Sequence, residues 1–139
     1  MNDTIISLLG YITWILILLV CLASYRTLLV AKKRQAVNGF KPDGSDSPAF
    51  GERITRAQSN CVESFAFMGG LMLLALATDS AAITNGLALP LLAARLGQSI
   101  THLISTSVLA VQIRFAFFLA QIGICFYWVV LFATKFIGA

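Results

Sequence analysis

The sequence predicts an all-α integral membrane protein, a four-transmembrane-helix bundle, from its composition, its four long apolar segments and the short links between most of them. The 139-residue chain is 58% hydrophobic and 12% charged, with a mean hydropathy of +0.85. A soluble domain averages about 25% charged residues, and a globule of this size leaves much of its surface in water. Lipid is therefore the better solvent for this composition.

The apolar segments follow one another in a single membrane domain over residues 1–139. We predict helices at residues 4–30, 58–78, 81–111 and 113–137. The first segment lacks the basic n-region and the cleavage site of a signal peptide, so we interpret it as a retained span. About 20 apolar residues cross a hydrocarbon core, and continuous apolar runs without strict alternation predict helices instead of barrel strands.

The one long polar loop, at residues 31–57, sets the expected orientation. It holds six of the ten basic residues, namely Lys32, Lys33, Arg34, Lys41, Arg53 and Arg56. Because basic loops stay in the cytoplasm, we expect both termini on the non-cytoplasmic side, although Lys135 favours the opposite orientation. The expected location is the inner membrane of a bacterium or the endoplasmic reticulum of a eukaryote.

The basic charge and the cysteines exclude two other classes of protein. The net charge is +4, but no aromatic-rich basic stretch is present that would stack bases, so we expect no nucleic-acid partner. Cys21, Cys61 and Cys125 show no CxxC spacing, and we predict buried small side chains instead of a metal site or a disulfide framework. The pairs Gly69-Gly70 and Ala93-Ala94 are expected to allow close helix packing.

Polar side chains inside the apolar segments form the candidate site. Ionisable groups in a span usually face a bundle interior or a water-filled cavity and carry function. The polar residues of the second, third and fourth helices form three sets, one on each helix. At 100° per residue, the members of each set lie on one face of their helix. Guanidinium groups bind carboxylates through two hydrogen bonds, and a carboxylate with an amide can hold an ammonium group, so the sets predict an anionic, peptide-like ligand. They are Arg56, Asn60 and Glu63; Arg95, Gln98 and His102; and Arg114, Phe118 and Gln121.

Each set also has a purely structural interpretation. Arg56 lies near the membrane surface, where its side chain can extend to water. Glu63 and Arg95 can form a buried ion pair. His102 can be a hydrogen-bonded helix contact, and Phe118 can be a packing residue. The residues alone leave these alternatives open.

Three segments in the same order carry a resemblance to a known family. "ERITRAQSNCVE" is similar to a signature E-R-x-x-R-A-x-x-N-x-x-E, and "ARLGQSITH" and "IRFAFFLAQ" follow on the third and fourth helices. Together they resemble the MAPEG family, the membrane-associated proteins of eicosanoid and glutathione metabolism, as a bacterial-type member. The resemblance covers roughly residues 50–135.

The resemblance implies a homotrimer that binds glutathione, its co-substrate, between neighbouring subunits near the cytoplasmic face. The implied activity is a glutathione-dependent transferase or peroxidase, without a metal, acting on lipophilic electrophiles or hydroperoxides from the bilayer. Arg114 matches the catalytic arginine that polarises the glutathione sulfur. The implied glutathione-binding residues are Arg56, Asn60, Glu63, Arg95, Gln98 and His102.

The sequence departs from the family pattern at Phe118, where a tyrosine is common, and at Ser59, where some members have arginine. The stretch from His102 to Arg114 is also longer than in some members. A non-catalytic lipid- or glutathione-binding scaffold of the same family is therefore an alternative. A small multidrug exporter is a remote one, because those proteins carry a membrane-embedded glutamate in the first helix, where this chain has no acid after Asp3.

Overall fold

In the computed structural model, which describes residues 2–31, 49–105 and 107–138, the chain forms four helices: α1 (Asp3–Ala31), α2 (Ala49–Ala77), α3 (Ala81–Ile104) and α4 (Val108–Ile137). All four are long and apolar enough to cross a membrane, and the described part of the chain contains no strand. The predicted four-helix membrane fold is confirmed. Most of the predicted polar loop, residues 32–48, lies outside the described residues, and its cytoplasmic location stays a prediction.

The helices α2 and α3 form the centre of the bundle. α3 packs against the other three helices, α1 packs against α2 and α3, and α4 packs mainly against α3. Four crossings place both ends of the described chain at one end of the bundle, which we call the outer end. The opposite inner end holds the C-terminus of α1, the N-terminus of α2, the C-terminus of α3 and the N-terminus of α4. The fully buried core includes Tyr11, Met68, Met72, Leu91 and Trp128.

The break between α3 and α4 lies earlier than the sequence predicted. α3 ends at Ile104, and α4 begins at Val108 instead of residue 113. Ser105 is extended, and the Ser107 side chain accepts a hydrogen bond from the Ala110 backbone N–H at 3.2 Å. A serine at this position satisfies a backbone donor of the first helical turn, so it starts α4 there. Arg114 consequently lies well inside the helix, about two turns from its start.

Helix α2 begins at Ala49, before the predicted residue 58. Its first turns therefore include Glu52 and Arg56, which form an ion pair at 2.6 Å across one turn. Oppositely charged residues four apart support a helix weakly. The polar segment that the sequence assigned to a loop is thus, in its last part, the start of a membrane helix.

Close helix packing occurs at other glycines than the predicted pair. A Cβ atom added to Gly97 would lie 2.9 Å from the Phe117 ring, and one added to Gly10 would lie 2.7 Å from a Leu92 methyl group. Small residues let membrane helices approach closely, so these glycines bring α3 to α4 and α1 to α3. Gly70 faces open space, and the prediction is wrong for it.

The cysteines are free thiols in the described chain. Cys61 and Cys125 are buried, as predicted, but Cys21 is exposed. α1 packs with one side only, against α2 and α3, and Cys21 lies on the opposite side. The predicted burial of Cys21 is therefore wrong for the single chain.

Candidate functional site

Arg95 on α3 is fully buried and donates hydrogen bonds from each of its three nitrogen atoms. Nε donates to Gln121 Oε1 at 2.9 Å, Nη1 donates to Asn60 Oδ1 at 2.6 Å, and Nη2 donates to Gln98 Oε1. We call these four residues the Arg95 cluster. It joins α2, α3 and α4 through one guanidinium group, about 14 Å along the axis from the inner end of α3.

The amides of the Arg95 cluster also bond to one another. Gln121 Nε2 donates to Gln98 Oε1 at 2.8 Å and to the Phe117 backbone carbonyl at 3.0 Å. Buried polar groups are stable when each has a partner. Gln121 is fully buried and Gln98 is nearly so, and together these bonds give partners to both polar atoms of Gln121 and to the Gln98 oxygen.

Three further residues, which sequence reasoning missed, extend the polar contacts to α1. The Tyr11 hydroxyl donates to the Cys61 backbone carbonyl at 2.8 Å, and the Cys61 sulfur lies 3.0 Å from the Ser99 hydroxyl. Tyr11 had a signal in the sequence, since a tyrosine within an apolar helix needs a partner for its hydroxyl. Cys61 had none, because the accepting group is its backbone.

The polar face of α2 is split between the interior and the surface. Asn60 is half-buried and points to Arg95, whereas Arg56 and Glu63 are exposed. Glu63 lies about 21 Å along a helix of about 43 Å, at the depth of hydrocarbon, and no ion pair of Glu63 occurs in the described part of the chain. Glu63 and Arg95 therefore do not form the ion pair that the sequence left open. The rotation of α2 about its axis turns Asn60 toward Arg95 and Glu63 toward the surface.

A second group of cations lies toward the inner end. Arg56 near the start of α2, His102 near the end of α3 and Arg114 in the second turn of α4 all lie toward this end, and the His102 side chain is 8% exposed. Arg114 is half-buried, and its Nε atom has no hydrogen-bond partner among the described residues. An unpaired buried donor is costly, by about 1–3 kcal/mol. Arg114 is therefore a candidate to change its side-chain conformation when an acceptor is present.

Phe118 lies one turn after Arg114 on α4 and is half-buried. Its ring offers no hydroxyl to a ligand near Arg114. The structure thus brings Asn60, Arg95 and Gln98 together in the interior and places Arg56, His102 and Arg114 toward the inner end of their helices.

An apolar groove opens between α2 and α4 and has a volume of about 250 Å³. Its walls are hydrophobic, so its chemistry suits a hydrocarbon chain. Within the described ranges no group of three His, Cys, Asp or Glu side chains is placed to hold a metal ion, and the expectation of metal-free chemistry stays a prediction. The groove is lined by Phe67, Leu71, Ile122, Cys125, Phe126 and Val129.

Comparison with known proteins gives one match. Residues 8–134 match the family model of the MAPEG family. No curated protein and no solved structure matches the chain. The matched range includes every candidate site residue and nearly all of the four helices.

Proposed function

This chain belongs to the MAPEG family, whose members use glutathione, and from that premise we propose that it is a membrane-bound glutathione-dependent transferase or peroxidase. Its second substrate would be a lipophilic electrophile or hydroperoxide. The family membership also displaces the small multidrug exporter as an alternative.

The observation that carries the proposal is the polar face of α2. Arg56 and Glu63 are exposed within a helix that is apolar enough to span a membrane. Charged groups that face hydrocarbon are costly unless a polar partner covers them. Arg56 already pairs with Glu52 at 2.6 Å, whereas Glu63 has no ion pair in the described part of the chain. A charged peptide held between this face and a neighbouring subunit would cover Glu63, and MAPEG proteins are generally trimeric.

Glutathione has the charges that this face can bind. One of its two carboxylates suits Arg56, because a guanidinium group binds a carboxylate through two parallel hydrogen bonds. Its ammonium group suits Glu63. Asn60 lies between Arg56 and Glu63 on the same face, where it can contact the peptide backbone of the ligand.

Arg114 is the proposed catalytic residue. A free thiol has a pKa of about 8.5, and a nearby positive charge lowers it, so that more thiolate is present at neutral pH. The half-buried guanidinium has an unpaired Nε atom, and hydrogen bonds preorganised in a region of low dielectric stabilise a developing anion strongly. Arg114 would therefore stabilise and orient the glutathione thiolate.

The proposed reactions balance without a metal. In conjugation, the thiolate forms a carbon–sulfur bond to the electrophile, and the leaving group departs with the electron pair. In peroxide reduction, the thiolate attacks the O–O bond and gives the alcohol and the sulfenic acid of glutathione. A second glutathione converts this sulfenic acid into glutathione disulfide and water. The apolar groove between α2 and α4 would admit the chain of the lipophilic substrate from the bilayer.

Titration of the purified protein in detergent with glutathione, followed by turnover assays, tests the proposal. We expect saturable binding by calorimetry, and glutathione-dependent turnover of an aryl halide or of cumene hydroperoxide. Protein that elutes as a single species but gives neither binding heat nor turnover would overturn it.

Phe118 favours a second candidate, a non-catalytic lipid- or glutathione-binding scaffold of the same family. The residue offers no hydroxyl close to Arg114. Glutathione binding without turnover across a broad panel of electrophiles and hydroperoxides would support this candidate, and robust turnover would exclude it as sufficient.

A further inference from the structure

Arg95 fixes which atom of each surrounding amide points where. A guanidinium group has five N–H donors and no acceptor, so the atom that each amide turns to Arg95 must be its oxygen. Asn60 Oδ1 accepts from Nη1, and Gln98 Oε1 accepts from Nη2. The NH₂ groups of both amides therefore point away from the cation.

Of the two amide residues, Asn60 is the more exposed. Asn60 is half-buried, whereas Gln98 is 7% exposed. Asn60 Nδ2 donates no hydrogen bond within the described ranges, and its neighbours on the same face, Arg56 and Glu63, are exposed. Asn60 thus lies between buried Arg95 and the exposed part of the α2 polar face, with a side-chain donor that has no partner there.

The charge around Asn60 favours an acceptor as well. The contacts of Arg95 in the described chain are neutral side-chain amides, a backbone carbonyl and the Cys61 sulfur. A cation surrounded by neutral groups keeps its positive potential in a region of low dielectric. That potential attracts a carboxylate or carbonyl oxygen and repels an ammonium group.

We propose that Arg95 is a positioning residue that holds the Asn60 amide with its NH₂ group toward the ligand, so that this subsite selects a carboxylate or peptide-carbonyl oxygen. The inference rests on the proposed function, since the ligand in question is glutathione. In this arrangement Asn60 binds an oxygen atom of the peptide, and Glu63 binds its ammonium group. Arg95 itself does not touch the ligand and acts through Asn60.

The effect of Asn60→Asp on glutathione affinity tests whether the Asn60 NH₂ group points to the ligand. Asn60→Asp keeps an oxygen for Arg95 but replaces the NH₂ donor with a second oxygen. We expect at least tenfold weaker glutathione binding by calorimetry, with elution and melting temperature close to those of the wild type. If Asn60→Asp binds glutathione as tightly as the wild type or more tightly, the ligand presents a donor to this position and the proposal is wrong.

A double-mutant cycle tests the positioning role. Arg95→Lys keeps the charge but loses the planar set of donors, so we expect about tenfold weaker binding. In the Asn60→Ala background the same change should weaken binding by less than about twofold, because the group through which it acts is gone. If Arg95→Lys weakens glutathione binding by the same factor in the wild type and in the Asn60→Ala variant, Arg95 acts directly or through another residue, and the proposal is wrong.

Kinetics give a readout that a merely structural role would not produce. Arg95→Lys should raise the KM for glutathione about tenfold and change kcat by less than about threefold, because the thiol lies elsewhere. A large fall in kcat with unchanged KM would contradict the proposal. Lys135→Ala, at the outer end, serves as the control and should match the wild type.

The outcomes keep the two proposals distinguishable. Wild-type protein that binds no glutathione overturns the proposed function and this inference with it. Wild-type binding with a fully multiplicative cycle overturns the inference alone. If Arg95→Lys fails to elute as a single species, the Asn60→Asp comparison decides.

Discussion

The Arg95 guanidinium donates to the Asn60 side-chain oxygen at 2.6 Å and thereby joins α3 to α2 inside the bundle. The same guanidinium reaches Gln121 on α4 at 2.9 Å. One buried cation therefore fixes the relative rotation of three membrane helices. The stability of the bundle and the arrangement of the candidate site depend on the same residue.

Gln121→Leu is expected to destabilise the bundle. The substitution removes the acceptor for Arg95 Nε and the two donations from Gln121 Nε2. A hydrogen bond to a charged group contributes about 1.5–3 kcal/mol, so the free energy of unfolding should fall by at least about 2 kcal/mol. Reversible unfolding in detergent, followed by circular dichroism, measures the change. The matched control is Gln112→Leu, an exposed glutamine on the same helix, which should alter it little.

Tyr11→Phe is expected to weaken the contact between α1 and α2. It removes only the hydroxyl that donates to the Cys61 carbonyl at 2.8 Å, and a neutral hydrogen bond contributes about 0.5–1.5 kcal/mol. The same unfolding assay should show a loss in that range. Tyr127→Phe, at an exposed tyrosine, is the comparison, and an equal loss there would argue against a specific role for the Tyr11 bond.

Arg114→Ala is expected to reduce glutathione turnover by about a hundredfold, the scale on which removal of one anion-stabilising donor acts. The effect should lie mainly in kcat, since the thiolate forms in the bound complex. The activity of the wild type should increase as pH rises through the pKa of the bound thiol, which lies below about 8.5. In the variant the same increase should occur at a higher pH. Turnover unaffected by the substitution would remove Arg114 from the mechanism.

Phe118→Tyr is expected to raise turnover, because a hydroxyl placed one turn from Arg114 adds a donor for the thiolate. A gain of about tenfold is reasonable for one added donor, which is less than the effect of removing an optimised one. Steady-state assays with an aryl halide measure it. Phe117→Tyr changes the neighbouring ring, which packs near Gly97, and should bring no gain.

The sequence predicted four spans and the faces that hold Asn60 and Arg95, because polar residues three and four apart in an apolar helix share one side. It could not predict the rotation of each helix about its axis, which packing against neighbours determines. For that reason Glu63 was a possible partner of Arg95, yet it lies on the surface.

The start of α4 was mistaken for a different reason. The link was assigned to the later stretch before Ile113, although the short polar run of residues 105–107 already interrupts the apolar sequence there. The boundary follows from Ser107, whose hydroxyl accepts from Ala110 N–H. Gln121 was placed on the polar face of α4, but its hydrogen bond to Arg95 is visible only once the helices are packed.

The most direct test of the central claim is the ultraviolet difference spectrum of glutathione bound to the purified protein at neutral pH, compared with that of Arg114→Ala. We predict a thiolate band that saturates with glutathione in the wild type and is strongly reduced in the variant. A titration that shows no thiolate band in the wild type, or the same band in both proteins, would contradict the proposal that Arg114 stabilises the glutathione thiolate.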